Sequence, residues 1–210
     1  MRIRINYAKE APLRYTGALD VQRLWERALR RAGLPLAYSQ GFHPQPRINQ
    51  ASPLPLGFTS RSELIDVWIE GSLPVEEIQA ALGMALPPGI ELHGISPVDE
   101  ASPSIQALPG TAVYQVHFLE GIHTPDLQAR VYRVLGAESL PRRRREKTYD
   151  LRPLILGMHC ASPVDEAGPI LWMELSAKPS ATGRPDEVLE EMGIPPETAR
   201  IERQSLVFSD

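Results

Sequence analysis

Polar and hydrophobic residues alternate from Arg2 to Tyr7, with Ile3, Ile5 and Tyr7 on one side of a two-residue period, and this predicts a β-strand. The period lengthens over Leu19–Ala32, where Val21, Leu24, Trp25, Ala28, Leu29 and Ala32 recur at helical spacing. Thr16 stands where an N-cap is expected, Gly33 where the helix closes, and Pro35 prevents continuation. After a long loop, Leu64–Ile69 predicts a strand. Val75–Leu86 predicts a helix between Pro74 and the pair Pro87 and Pro88, and Ile90–Ile95 another strand. We read this order as β–α–β–β–α–β, the pattern of a ferredoxin-like half. Pro97, Pro103 and Pro109 then predict a linker.

The second half reads the same way. Ala112–Phe118 alternates as a strand, and Pro125–Leu135 is helical with proline near its first position. Arg142–Cys160 holds one long strand or two short ones, and Ile170–Leu175 another. Pro185–Met192 is a helix closed by Gly193, and Arg200–Phe208 is a final strand. The expected fold class is therefore α+β, with two ferredoxin-like βαββαβ halves, antiparallel sheets, and boundaries near residues 1–100 and 110–210. No residue-level repeat accompanies the duplication, so it rests on element order.

Composition narrows the function classes. Of 210 residues, 42% are hydrophobic and 23% charged, the balance of a globular chain. A formal charge of −4 argues against indiscriminate coating of nucleic acid. Cys160 is the single cysteine, so an internal disulfide and a self-contained iron–sulfur or Cys-rich zinc site are excluded, and its apolar flank LILGMHCASP suits a buried, inert thiol. No H-x-x-x-H or H-E-x-x-H spacing, Walker loop or G-x-G-x-x-G occurs, so neither metal nor cofactor is expected. The chain opens on a strand pattern rather than a signal peptide, and no apolar run approaches the roughly 20 residues a membrane span needs. A cytoplasmic protein without membrane contact is the expectation.

Charge distribution carries more information than net charge. Only Lys9, Lys147 and Lys178 are lysines among 22 basic residues; the rest are arginines, whose planar forks suit phosphate and carboxylate. Arg23, Arg27 and Arg31 line the polar face of the first predicted helix, with Arg30 beside them and Arg14 ahead of it. The loop Tyr38–Arg47 (YSQGFHPQPR) adds the rings of Tyr38 and Phe42, the imidazole of His43 and the guanidinium of Arg47. Stacking rings among guanidiniums are how single-stranded RNA is commonly held. In the second half Arg142, Arg143, Arg144 and Arg145, followed by Lys147, form the densest basic run, and Arg152 follows. Arg14, Arg23, Arg27, Arg31, Tyr38, Phe42, His43, Arg47, Arg142, Arg143, Arg144, Arg145 and Arg152 are the candidate RNA or anion contacts. Ser176–Pro185 (SAKPSATGRP) leads into a helix and offers a weaker anion cradle, since Asp186 and Glu187 already meet the helix dipole. His43 has the pKa range of a general base but no visible partner, so no catalytic residue is assigned.

The run RYTGALDVQRLWERALRRAGLPLAYSQGFHPQPR, Arg14–Arg47, resembles the opening of the radical-SAM-linked proteins, a family of unknown function. The resemblance continues through PLPLG at Pro53–Gly57, ELIDV at Glu63–Val67, YDLRPLI at Tyr149–Ile155 and GRPDEVL at Gly183–Leu189. It implies a partner, a radical SAM protein of the cobalamin-binding type to which such domains are fused or beside which they are encoded. A ribonuclease-like gene is often near. Gly17-Ala18-Leu19-Asp20 stands where the resembled pattern has Ser-His-Leu-Asp, and His43-Pro44-Gln45-Pro46 where it has Asn-Pro-His-Pro. Both departures favour binding over catalysis by histidine. The expected function is a non-catalytic, substrate-binding accessory module of a radical SAM system, acting on RNA. Two alternatives stay open: a subunit that docks on the radical SAM partner without touching RNA, and a metal-independent endoribonuclease.

Overall fold

The opening alternation forms strand β1 (Arg2–Lys9), which buries Ile3, Ile5 and Tyr7 on one side of the sheet. Helix α1 (Ala18–Arg31) packs its apolar stripe there: Val21, Trp25, Ala28 and Leu29 are buried, and Trp25 meets Tyr7 edge-on at 4.8 Å. Fully burying such side chains contributes about 1.5–3 kcal/mol each. The N-cap falls on Gly17, not Thr16; it makes no side-chain cap, and Asp20 supplies the favourable charge in the first turn. In this computed structural model the described residues are 1–108, 110–144, 146–161 and 168–208. The chain divides into two units, Met1–Leu108 and Pro109–Asp210.

The first unit continues with β2 (Ile48–Gln50), β3 (Thr59–Trp68), α2 (Val75–Ala85) and β4 (Ile90–Val98). All pairings are antiparallel, in the order β4-β1-β3-β2. Strand β2 is the central strand that the sequence pattern does not locate, because three residues are too few to display a period. The segment from Pro97 to Leu108, expected to be part of a linker, is mostly exposed but is tied to the first unit at several points. Pro97 lies opposite Ile3 within β4, an edge strand where a missing N–H is tolerated. Ile105, in a short 3-10 turn, is fully buried. Arg2 ties the segment down by donating to the carbonyls of Ser102 and Pro103. Pro109 itself lies outside the described residues.

The second unit runs β5 (Gly110–Phe118), α3 (Thr124–Leu135), β6 (Pro141–Arg144), β7 (Lys147–Asp150), β8 (Ile155–Ala161), β9 (Ile170–Lys178), β10 (Ala181–Thr182), α4 (Pro185–Glu191) and β11 (Ala199–Phe208). Its main strands follow the order β11-β5-β9-β8, again antiparallel, with β10 as a short edge on β9. The expected strand region Arg142–Cys160 is instead a separate hairpin, β6 with β7, followed by a 3-10 turn and β8. Arg142, Arg143 and Arg144 therefore lie within strand β6 of that hairpin. Both units combine antiparallel strands with two α-helices, a mixed α/β fold.

Candidate nucleic-acid interface

Helix α1 turns Arg23, Arg27, Arg30 and Arg31 to solvent because its apolar stripe faces β1. Arg23 faces Asp20 at 3.4 Å and Arg30 pairs with Glu26 at 2.8 Å, both surface pairs of small energetic weight. The Arg27 guanidinium makes no hydrogen bond or ion pair among the described residues, leaving its charge to solvent. Arg31 reaches the carbonyl of Ala85 at 3.2 Å and so also caps the C-terminal end of α2. Arg14 sits before the helix, half-buried, and its Nε has no hydrogen-bond partner among the described residues.

The loop after α1 is closed at its base. Tyr38 bridges Pro46, the Ser39 N–H donates to the Gln45 carbonyl, and the Gln45 N–H donates to Ser39 Oγ. Five residues, Gln40 to Pro44, are left projecting at the tip. Gly41 turns the chain there with φ of 136°, and Phe42 is wholly exposed, with His43 beside it. A phenyl ring so exposed has no role in the core.

The helix face and the loop meet at one contact. Arg30 donates to the hydroxyl of Tyr38 at 3.0 Å, with its guanidinium 6.0 Å from the ring centre. That hydrogen bond, with Glu26 nearby, raises the Arg30 pKa above its ordinary value. At the loop's other end, backbone bonds from the Arg47 N–H to the Ala37 carbonyl and from the Trp68 N–H to the Arg47 carbonyl fix Arg47 beside β3. Its guanidinium lies 4.5 Å from the Trp68 ring centre, and that of Arg2 lies 5.0 Å away. Arg2 and Arg4 both bond the fully buried Asp66, at 2.5 and 2.8 Å. The structure thus brings Arg23, Arg27, Arg30, Arg31, Tyr38, Phe42, His43 and Arg47 onto one unit, joined through α1 and its loop. Sequence reasoning missed Arg2, Arg4, Asp66 and Trp68. Alternating charge at Arg2 and Arg4 was visible in a predicted strand, but nothing local named Asp66 as their shared partner.

The arginines of the second unit divide by role. Arg142 bonds Glu190 and also Glu191, at 3.0 Å for the second, and so latches the hairpin to α4. Partial burial opposes the charge of Arg142, but the two carboxylates outweigh it and push its pKa up. Tyr149, opposite Arg142 in the hairpin, donates to Glu187; burial and that carboxylate push its pKa up to about 12. Arg143 and Arg144 are exposed, their guanidiniums make no hydrogen bond or ion pair among the described residues, and Arg145 lies outside those residues. Arg152 donates to the carbonyls of Leu135 and Ile155, so it caps α3 and fixes the turn into β8. Arg142 and Arg152, expected as anion contacts, thus hold their guanidiniums on partners within the chain.

The remaining candidates are likewise structural. Arg184 forms a two-point pair with Asp186 in the first turn of α4, at the helix start that the sequence offered as a weaker anion cradle. Cys160 is half-buried, and burial pushes its thiol pKa up, away from the reactive thiolate. No group of three or more His, Cys, Asp or Glu arranged to hold a metal occurs among the described residues. No helix among them is long and apolar enough to cross a membrane.

Comparison with known proteins adds a family without a described activity. No curated protein matches the chain. Among solved structures, an unknown protein from Galdieria sulphuraria aligns over 100% of this chain and 98% of its own, at 15% identity and a TM-score of 0.28. The small subunit of acetolactate synthase from Thermotoga maritima aligns over 100% and 96%, at 11% identity and a TM-score of 0.28. Scores this low carry no argument about fold or activity. The family model for an uncharacterized protein conserved in bacteria (DUF2344) matches residues 2–185, and the chain belongs to that family.

Proposed function

We propose that this protein is a non-catalytic accessory module that binds single-stranded RNA along α1 and the Tyr38–Arg47 loop. The observation that carries the reading is the Arg30–Tyr38 hydrogen bond, which makes the guanidinium row and the exposed Phe42 tip one surface. Cations placed to meet phosphates beside a free aromatic ring are the two ingredients of sequence-tolerant single-strand binding. A duplex offers no unstacked base to Phe42, so the surface favours single strands.

Each unit is read here as a ferredoxin-like half, supported by the strand orders β4-β1-β3-β2 and β11-β5-β9-β8. The resemblance to radical-SAM-linked proteins supplies the proposed partner, a cobalamin-binding radical SAM protein in the cytoplasm. The partner would perform the chemistry on RNA that this chain holds and orients. Titration of labelled single-stranded and duplex RNA with the full chain tests the reading. Binding of the single strand that weakens in Phe42→Ala supports it. Equal affinity for both forms, unaffected by Phe42→Ala, would contradict it.

A further inference from the structure

At the base of the loop, on the side of the sheet that carries Asp66, lies a cleft of about 390 Å³. Its lining includes Arg47, Trp68, Ser39, Asn49, Ser102 and Ser104. Three observations define its chemistry. Arg47 is held over Trp68, and its guanidinium makes no hydrogen bond or ion pair among the described residues. A ring face orients the fork without using its N–H donors. Second, Arg2 and Arg4 share one carboxylate, Asp66, so the buried cluster beside Arg47 keeps an excess positive charge. Glu100, the acidic residue at the cleft, faces the Met1 ammonium at 3.5 Å. Third, the opposite wall is polar and held in place: Arg2 grips the carbonyls of Ser102 and Pro103, and Asn49 donates to Ser104 Oγ at 3.3 Å.

We infer that this cleft binds a phosphate monoester, with Arg47 as the bidentate fork and the Ser102 and Ser104 side as hydrogen-bonding wall. A monoester carries a charge of about −1.5 to −2 near neutral pH and three acceptor oxygens, which suits a preoriented guanidinium and hydroxyl donors. The volume accommodates a single nucleotide-sized ligand rather than a run of them, because pockets for small ligands begin near 300 Å³. The group bound is therefore a terminal phosphate, either the 5′ end of an RNA or a free nucleoside monophosphate. The inference deepens the RNA reading and rests on it only for the first of these sources.

The test measures binding of short single-stranded RNA bearing a 5′-phosphate or a 5′-hydroxyl, and separately of AMP, to the wild-type chain, Arg47→Lys and Arg47→Gln. The Arg47 side chain is exposed and the strand contacts at this position are made by backbone, so both variants should fold, which thermal denaturation verifies. A preference of about tenfold or more for the 5′-phosphate, lost in both variants so that each binds the two RNA forms equally, establishes the RNA-end source. AMP binding that depends on Arg47, with no RNA bound in either form, establishes the free-nucleotide source and overturns the RNA reading alone. RNA binding without phosphate preference, together with no AMP binding, overturns the cleft assignment and leaves the RNA reading standing.

Discussion

The guanidinium of Arg30 donates to the hydroxyl of Tyr38 at 3.0 Å, and this contact determines how the loop sits on the helix. It places one end of the Tyr38–Pro46 bridge against α1, while the backbone of Arg47 holds the other end to β3. The loop tip is thus presented on a braced base, which lowers the ordering cost of binding.

Phe42→Ala is expected to leave the melting temperature unchanged, because the ring is wholly exposed and packs on nothing. The same change should cost about 1–3 kcal/mol of single-strand RNA affinity if the ring stacks on a base. Paired thermal-denaturation and RNA-titration measurements separate the two effects.

Asp66→Ala should be strongly destabilising. It leaves Arg2, itself buried, and half-buried Arg4 without their shared carboxylate, and an uncompensated buried charge costs about 3–5 kcal/mol. Chemical denaturation of the variant measures this directly. A loss below about 1 kcal/mol would mean that water replaces the carboxylate more easily than the burial of these groups implies.

The basic hairpin predicts a division of labour among adjacent arginines. Arg142→Ala should lower stability by breaking the latch to Glu190 and Glu191, whereas Arg143→Ala and Arg144→Ala should leave it within about 0.5 kcal/mol. If the hairpin also touches RNA, Arg143 and Arg144 should account for its share of the salt dependence. Denaturation curves and salt titrations of the three single variants decide both points.

The fold was readable where the hydrophobic period was long. Helix α1 buries a helically spaced stripe and strands β1 and β5 bury alternate residues, while β3 and β9 show as largely apolar runs, Leu64–Ile69 and Ile170–Leu175. Strand β2 and the β6–β7 hairpin were not readable. The first has three residues, and the second is a surface ribbon whose side chains include no buried stripe to set a period. The same contrast applies to the site. Arg23, Arg27 and Arg31 declared themselves by helical spacing, and Phe42 by its loop. The Arg2–Asp66–Arg4 cluster and the stack of Arg47 on Trp68 depend on strands 62 to 64 residues apart or on a loop folding back, and no local pattern encodes such pairings. Arg142 and Arg152 look like surface charge in sequence; only the placement of α4 and of the end of α3 turns them into latches.

Tyr149 gives a pH dependence with a definite sign. Its folded pKa of about 12 exceeds the ordinary tyrosine value of 10, so the unfolded chain loses this proton first as pH rises. The contribution of Tyr149 to stability is therefore fully present below pH 10 and lost progressively between 10 and about 12. Stability measured against pH across this window should fall less steeply in Tyr149→Phe than in the wild type.

The most direct test of RNA binding by α1 is the salt dependence of affinity for single-stranded RNA in the wild type and in an Arg23→Ala/Arg27→Ala double variant. Arg31 is left intact because it also caps α2. Wild-type affinity should fall steeply with salt, and removing two phosphate contacts should reduce the slope of log affinity against log salt by about 1 to 1.5. Identical slopes in the two proteins, or no RNA binding by the wild type even at low salt, would contradict the RNA reading and favour a surface that docks on a protein partner.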